Sequence, residues 1–281
     1  MNIIECPRDA MQGIEQFIPT ADKVRYLNQL MKVGFETIDA GSFVSPKAIP
    51  QMRDTAEVLD KVELNKRTKL LVIVANARGA EEASRHSAVT YLGFPLSVSE
   101  TFQRRNTNKT IAEALNVVND IQEICIASGK KLVTYISMGF GNPYGDPYSV
   151  DLVGKFVDIL ATLEIKTISL ADTVGVSTPA QIANLYTSLA TFFPGVELGL
   201  HLHSSPLKAS EKIEAAVLSG CTRLDGAIKG FGGCPMAEDQ LVGNIATETI
   251  LSFLDSKGIE TKLDRTQFTN AINLAVEIFP A

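Results

Sequence analysis

The sequence is short of the residues that announce many functions: three histidines and four cysteines stand among 281 residues, and no basic run exceeds a pair such as Arg104-Arg105 or Lys130-Lys131. Each shortage excludes something. Cys6, Cys125, Cys221 and Cys234 form no C-x-x-C pair and lack disulfide-type spacing, which removes a disulfide framework and suits a reducing compartment. With 32 acidic against 26 basic residues the net charge is -6, so nothing is built for nucleic acid. The longest aliphatic run, Leu70 to Ala75, is far shorter than a membrane span. Met1-Asn2-Ile3-Ile4-Glu5 lacks a basic segment followed by an apolar one, so the expectation is a cytoplasmic protein without a membrane partner.

What is present is core. At 45% hydrophobic and 21% charged, the chain buries one large core or two smaller ones. β-Branched runs predict strands at Asn2–Cys6, Thr37–Ala40, Leu70–Ala75, Ala88–Leu92, Leu132–Ser137, Thr167–Ala171, Val196–Leu202 and Arg223–Ile228. Helical patterns alternate with them: Val24, Leu27, Leu30 and Met31 share one face, as do Ile111, Leu115, Val118 and Cys125. Thr178-Pro179-Ala180-Gln181 reads as an N-cap, a first-turn proline and a capping-box glutamine, and Thr110 with Glu113 offers a second box. Gly34, Gly129 and Gly220 close helices. Eight such units predict an α/β fold, a (β/α)8 TIM barrel of one domain over residues 1–281, with an extra C-terminal helix marked by Phe268, Ile272, Ala275 and Phe279.

Two of the three histidines, His201 and His203, end one strand two residues apart. Alternate strand residues share a face, so both imidazoles are able to meet one ion; a hydrogen-bonded core pair is the competing reading. Chemistry in a barrel gathers at the strand C-termini. Closure brings strands 7, 8 and 1 together, and Asp9, His201, His203 and Asn244 emerge as a metal site. Two imidazoles, a carboxylate and an amide oxygen suit Mg2+ or Mn2+, with Zn2+, Fe2+ and Co2+ compatible. Read alone, Asp9 and Asn244 are turn residues, and Arg8 is a partner for Asp9 or Asp39. Gly230, Gly232 and Gly233 suggest a flap able to carry Cys234 over the metal; its thiol, with a reference pKa of roughly 8.5, is a proton donor near neutrality.

Cys6-Pro7-Arg8-Asp9, Ser42-Phe43-Val44-Ser45-Pro46-Lys47, Ser99-Glu100-Thr101-Phe102, Ser169-Leu170-Ala171-Asp172-Thr173-Val174-Gly175, His201-Leu202-His203, Gly230-Phe231-Gly232-Gly233-Cys234-Pro235 and Gly243-Asn244-Ile245-Ala246-Thr247-Glu248 together resemble the 3-hydroxy-3-methylglutaryl-CoA lyase family. The resemblance runs to about Leu254. It implies divalent-metal-dependent retro-Claisen cleavage of an acyl-CoA thioester to acetyl-CoA and acetoacetate, as in leucine degradation, with Arg8, His201 and Cys234 catalytic. It also implies that Asp39, Ser42, Asn106, Tyr135, Ser169 and Asp172 line the substrate or metal neighbourhood. Departures stand beside it: Ala10-Met11-Gln12-Gly13 replaces Gly-Leu-Gln-Asn, Asp39 replaces a glutamate, Ser204-Ser205 replaces Asp-Thr, and Met138 and Asn142 stand where cysteines are common. A sibling aldolase or Claisen-type enzyme and a non-catalytic barrel are the alternatives. A homo-oligomer, a dimer first, is expected, with the apolar C-terminal helix as its only pointer.

Overall fold

The structure, a computed structural model, describes residues 1–233 and 242–279. Eight parallel strands close into a barrel in sequence order: β1 (Asn2–Glu5), β2 (Thr37–Ser42), β3 (Lys69–Ile73), β4 (Val89–Ser97), β5 (Lys131–Ser137), β6 (Thr167–Asp172), β7 (Glu197–Leu202) and β8 (Arg223–Gly226). The helices are α1 (Pro7–Gln12), α2 (Thr20–Val33), α3 (Thr55–Lys61), α4 (Ala77–Ser84), α5 (Glu100–Thr107), α6 (Ile111–Ser128), α7 (Val150–Thr162), α8 (Pro179–Phe192), α9 (Pro206–Leu218), α10 (Thr247–Ser256) and α11 (Arg265–Ile278). Both expected capping boxes form, Thr110 with Glu113 on α6 and Thr178 with Gln181 on α8. Gly34 and Gly129 end α2 and α6 in the left-handed region.

Two apolar clusters follow from strand alternation. Outward side chains such as Ile38, Leu70, Leu92 and Leu170 pack against the helices in the main core. Inward ones form a small cluster of Leu71, Ile73, Val133 and Tyr135. The rest of the interior is polar, which is where the site is built.

β4 runs past the expected end at Leu92 and through Gly93-Phe94-Pro95. A proline has no N–H to give a central strand. Here none is required, because β3 last pairs at Ile73 with Gly93 and only β5 accompanies Pro95 and Ser97 beyond that point. β8 is shorter than expected and ends at Gly226, because residues 245 and 246 take over its pairing.

The C-terminal helix packs much of its apolar face within the chain. Phe268, Ala271, Ala275 and Phe279 are buried against α2, where Phe279 meets Tyr26 edge-on at 5.2 Å and Phe268 meets Phe35 at 6.3 Å. Of the four residues that pointed to an oligomer, Phe268, Ala275 and Phe279 are thus buried within the chain and Ile272 is half-buried. Among the described residues no helix is long and apolar enough to cross a membrane.

Candidate active site

β7 places His201 and His203 on the same face, as alternation requires. Their Nε2 atoms lie 3.2 Å apart. The opposite ring nitrogens settle the tautomers: His203 Nδ1 is 3.0 Å from the Thr173 carbonyl, which only accepts, and His201 Nδ1 is 3.1 Å from the Asp225 carboxylate. Both Nδ1 atoms therefore carry hydrogen, and two neutral rings would face each other with bare Nε2 lone pairs. Such a pair requires a cation between its nitrogens, a proton or a metal ion. Burial lowers His201, yet the Asp225 hydrogen bond and charge raise it above the usual histidine range; burial and its charged neighbour push His203 down to about 4.

Asp9, on the first turn after β1, supplies the third donor: its carboxylate and both imidazoles offer atoms within 4.8 Å of one another. Ligands of one ion at metal–nitrogen distances of ~2.0–2.1 Å sit roughly 2.9–3.4 Å apart, so the imidazole spacing fits. Burial raises Asp9, but Arg8, His201, His203 and Asn244 outweigh it and hold the carboxyl below its ordinary range, ready to accept a cation.

Asn244 reaches this group because residues 243–246 wedge between the ends of β7 and β8. Asn244 bridges to His203 and Ala246 to Ala227, while Ile245 N–H donates to the Leu202 carbonyl. The amide nitrogen faces Asp9, donating to its Oδ2 at 2.6 Å and to the Phe231 carbonyl at 2.9 Å. The expected oxygen ligand thus requires the amide to turn; as placed, Asn244 orients Asp9.

Arg8 is fixed on every side. Nε and Nη2 donate to Asp39 Oδ2 at 3.0 and 2.5 Å, and Nη1 donates to Asp9 at 2.9 Å and to Gln12 at 2.8 Å. The shorter Asp39 therefore still spans the gap to Arg8. Burial works against the guanidinium charge, but Asp39 and Asp9 outweigh it. Asp39 itself is pushed up to about 6 by burial, with Arg8 opposing.

Arg8, Asp9, His201 and His203 line a cavity of about 330 Å³ at the barrel mouth together with the apolar Val44, Ile49, Ile73 and Phe102, and Asn244 lies behind Asp9 outside that lining. Asn106 and Tyr135 also line it. Four other expected residues do not. Ser42 accepts from Val44 N–H and shapes the loop after β2. Ser169 is wholly buried on β6 beside Tyr135, its hydroxyl without a protein partner. Asp39 acts through Arg8. Asp172 accepts from Lys212 Nζ at 2.8 Å and from Ser177 Oγ at 2.5 Å, a buried anchor rather than a lining group. Cys234 lies outside the described residues. The glycines before it are seated rather than loose: a Cβ on Gly232 would come within 2.7 Å of the Asp9 carbonyl and the Asn244 amide.

Sequence reasoning missed Asp225, Lys212 and Gln12. Asp225 carried the signal that found Asp39, a carboxylate inside a strand. Lys212 carried none, because a lysine on a helix reads as solvated.

The chain is similar to known proteins over nearly its whole length. The HMGL-like family model matches residues 3–275. The hydroxymethylglutaryl-CoA lyase YngG of Bacillus subtilis is 32% identical over 265 residues, covering 94% of this chain and 88% of that protein. The 3-hydroxy-3-isohexenylglutaryl-CoA/hydroxy-methylglutaryl-CoA lyase of Pseudomonas aeruginosa is 32% identical over 268 residues, with the same shares. An HMG-CoA lyase from Acinetobacter baumannii, solved with coenzyme A and 3-methylmalate, superposes with a TM-score of 0.92 at 31% identity, covering 99% of this chain and 90% of that one. This chain belongs to the HMGL-like family, the family of the hydroxymethylglutaryl-CoA lyases.

Proposed function

We propose that the protein cleaves 3-hydroxy-3-methylglutaryl-CoA to acetyl-CoA and acetoacetate with the help of a divalent metal ion, Mg2+ or Mn2+. The observation that carries this reading is the pair of bare Nε2 atoms 3.2 Å apart beside Asp9, next to a guanidinium locked by three partners. The chemistry of the donor set fits such an ion: Asp9, His201 and His203 would hold it, with Asn244 joining if its amide turns. When bound, the ion supplies Lewis acidity toward a substrate hydroxyl.

The chain's own groups account for the rest. The tertiary hydroxyl gives up its proton, with His201 the candidate acceptor through an Nε2 that is off the ion, Asp9 and His203 then holding the metal; the carbon–carbon bond breaks and its electron pair moves onto the thioester carbonyl as an enolate. Arg8 is the fixed positive charge for that oxygen, already oriented before substrate arrives. Cys234 or His201 returns a proton to the acetyl carbon. The apolar lining of Val44, Ile49, Ile73 and Phe102 shields the enolate from water.

A sibling reading has one supporting observation: the name of the Pseudomonas relative covers a substrate with a longer 3-alkyl chain, and the apolar lining here suits such a group. The test is product release from 3-hydroxy-3-methylglutaryl-CoA and from a longer 3-alkyl homologue, after EDTA and again after Mg2+ or Mn2+. We expect turnover of the methyl substrate that vanishes with EDTA, returns with metal and is lost in Cys234→Ala. Metal binding without turnover of the methyl substrate would overturn the reading. We also place the protein in the cytoplasm; the unpaired thiols of Cys6, Cys125 and Cys221 support that placement.

A further inference from the structure

His201 has a second polar edge. Its Nε2 faces His203 and Asp9, while its Nδ1 points at Asp225, where the thiol of Cys6 also lies. A sulfur, a ring nitrogen and a carboxylate oxygen of Cys6, His201 and Asp225 fall within 4.8 Å of one another. All three groups sit in the barrel interior beneath the mouth, Cys6 and Asp225 buried at 1% and 2% exposure.

We infer that Cys6, His201 and Asp225 form a second cation site, selective for a thiophilic divalent ion such as Zn2+ or Cd2+ and sharing the His201 ring with the Asp9 and His203 group. Three observations support it independently of which substrate the enzyme cleaves. Among the described residues Asp225 Oδ1 is buried without a hydrogen-bond partner, so the carboxylate has an unused acceptor. Among the described residues the hydrogen bond of the Cys6 sulfur is a long one, 3.8 Å to the Ile4 carbonyl. Ligand atoms around a tetrahedral ion lie roughly 3.3–3.7 Å apart, and the 3.1 Å between His201 Nδ1 and Asp225 Oδ2 is already close to that spacing. Mixed sulfur, nitrogen and oxygen donors suit zinc or cadmium and are poor for Mg2+, which demands oxygen.

The consequence is antagonism between the two sites. Binding at the inner site displaces the Cys6 thiol proton and the Nδ1 proton of His201, both of which leave to solvent. The ring, deprotonated, then stands between two divalent ions, and their mutual repulsion across it weakens binding at the outer site. Linkage makes the effect mutual: an ion in the outer site weakens the inner one by the same factor.

The test uses the whole protein in saturating Mg2+, titrated with Cd2+ while the ultraviolet thiolate-to-cadmium absorption is followed, in the unaltered chain and in Cys6→Ser and Cys234→Ala. We expect the absorption in the unaltered protein and in Cys234→Ala, its loss in Cys6→Ser, and Cd2+ affinity about tenfold or more weaker in that variant. Replacing Mg2+ by rising Mn2+ should raise the apparent Cd2+ dissociation constant. Absorption that persists in Cys6→Ser, or that never forms, overturns the site. If Cys6→Ser fails to fold by circular dichroism, cadmium NMR of Cys234→Ala decides: a resonance shifted by thiolate ligation supports the site, and one typical of nitrogen and oxygen donors alone overturns it.

Discussion

Arg8 shows how much of a residue's role lies in its partners. From sequence it was a partner for Asp9 or Asp39 and, by resemblance, a catalytic cation; in the fold four of its five N–H donors are held by Asp39, Asp9 and Gln12 in a fixed fork, which leaves one on Nη2. A lysine has the charge without the fork, and its flexible stem cannot satisfy three acceptors from one direction. Arg8→Lys should therefore lower kcat by about 10²–10³, with a smaller change in KM, because a preorganised charge acts chiefly on the transition state. A steady-state measurement showing KM alone affected would place Arg8 in substrate binding. Residue identity was legible where chemistry is local: alternation put His201 and His203 on one face, and barrel closure brought Asp9 and Asn244 to them. The direction of the Asn244 amide was not legible, since it depends on the Phe231 carbonyl and on Asp9 itself.

At the scale of elements, the sequence exposes what repeats and hides what is exchanged between elements far apart. Capping boxes and strand runs depend on neighbours within a few residues, and they appear where expected. β4 outruns its expected end at Leu92, because whether a strand tolerates a proline such as Pro95 depends on where the adjacent strand stops. Lys212 is the sharper case. It rises from α9 to give Asp172 one hydrogen bond and the carbonyls of Gly175 and His203 two more. It thereby ties the end of β7 to the loop after β6. Lys212→Met should cost about 3–5 kcal/mol by urea denaturation, because it leaves Asp172 charged and unpaired in the interior, and adding Asp172→Asn should recover part of that loss. The glycine segment gives a companion test. Gly232 has φ of +94° and its missing Cβ points at Asp9 and Asn244, whereas Gly129 has φ of +67° in open space. An alanine at either position strains the backbone by ~1–2 kcal/mol, but only Gly232→Ala should also weaken Mn2+ binding, by about tenfold or more, since it displaces the residues that hold the ion. Equal Mn2+ affinities in the two variants by calorimetry would show that crowding at Gly232 is harmless.

The whole molecule is a ring, and a ring is only as sound as its seam. β1 meets β8 from Asn2 beside Arg223 to Glu5 beside Gly226, contacts between the two ends of the chain. Glu5 points outward from this seam and is completely buried; its carboxyl oxygens accept from Ile228 N–H at 2.8 Å and pair with Thr247 Oγ1 at 2.6 Å. Burial raises its pKa to about 8 against the opposing pull of Thr247 and Ile228, so near neutrality the group is largely protonated and bridges as a neutral acid. The sign follows from proton counts. Between about 4.5 and 8 the unfolded chain has lost this proton and the folded chain keeps it, so folding stability is fullest below the unfolded value and falls as pH rises, at up to about 1.4 kcal/mol per pH unit from this one group. Glu5→Gln reproduces the protonated form, with an oxygen for Ile228 and an NH2 for Thr247, and cannot ionise. The stability of the unaltered protein relative to Glu5→Gln should therefore decline from pH 5 to pH 8 in urea denaturation, because only the native acid resists losing its proton at the seam. A difference that stays level across that range, or that grows with pH, would mean that Glu5 closes the barrel as a carboxylate and that the hydroxyl and amide around it outweigh its burial.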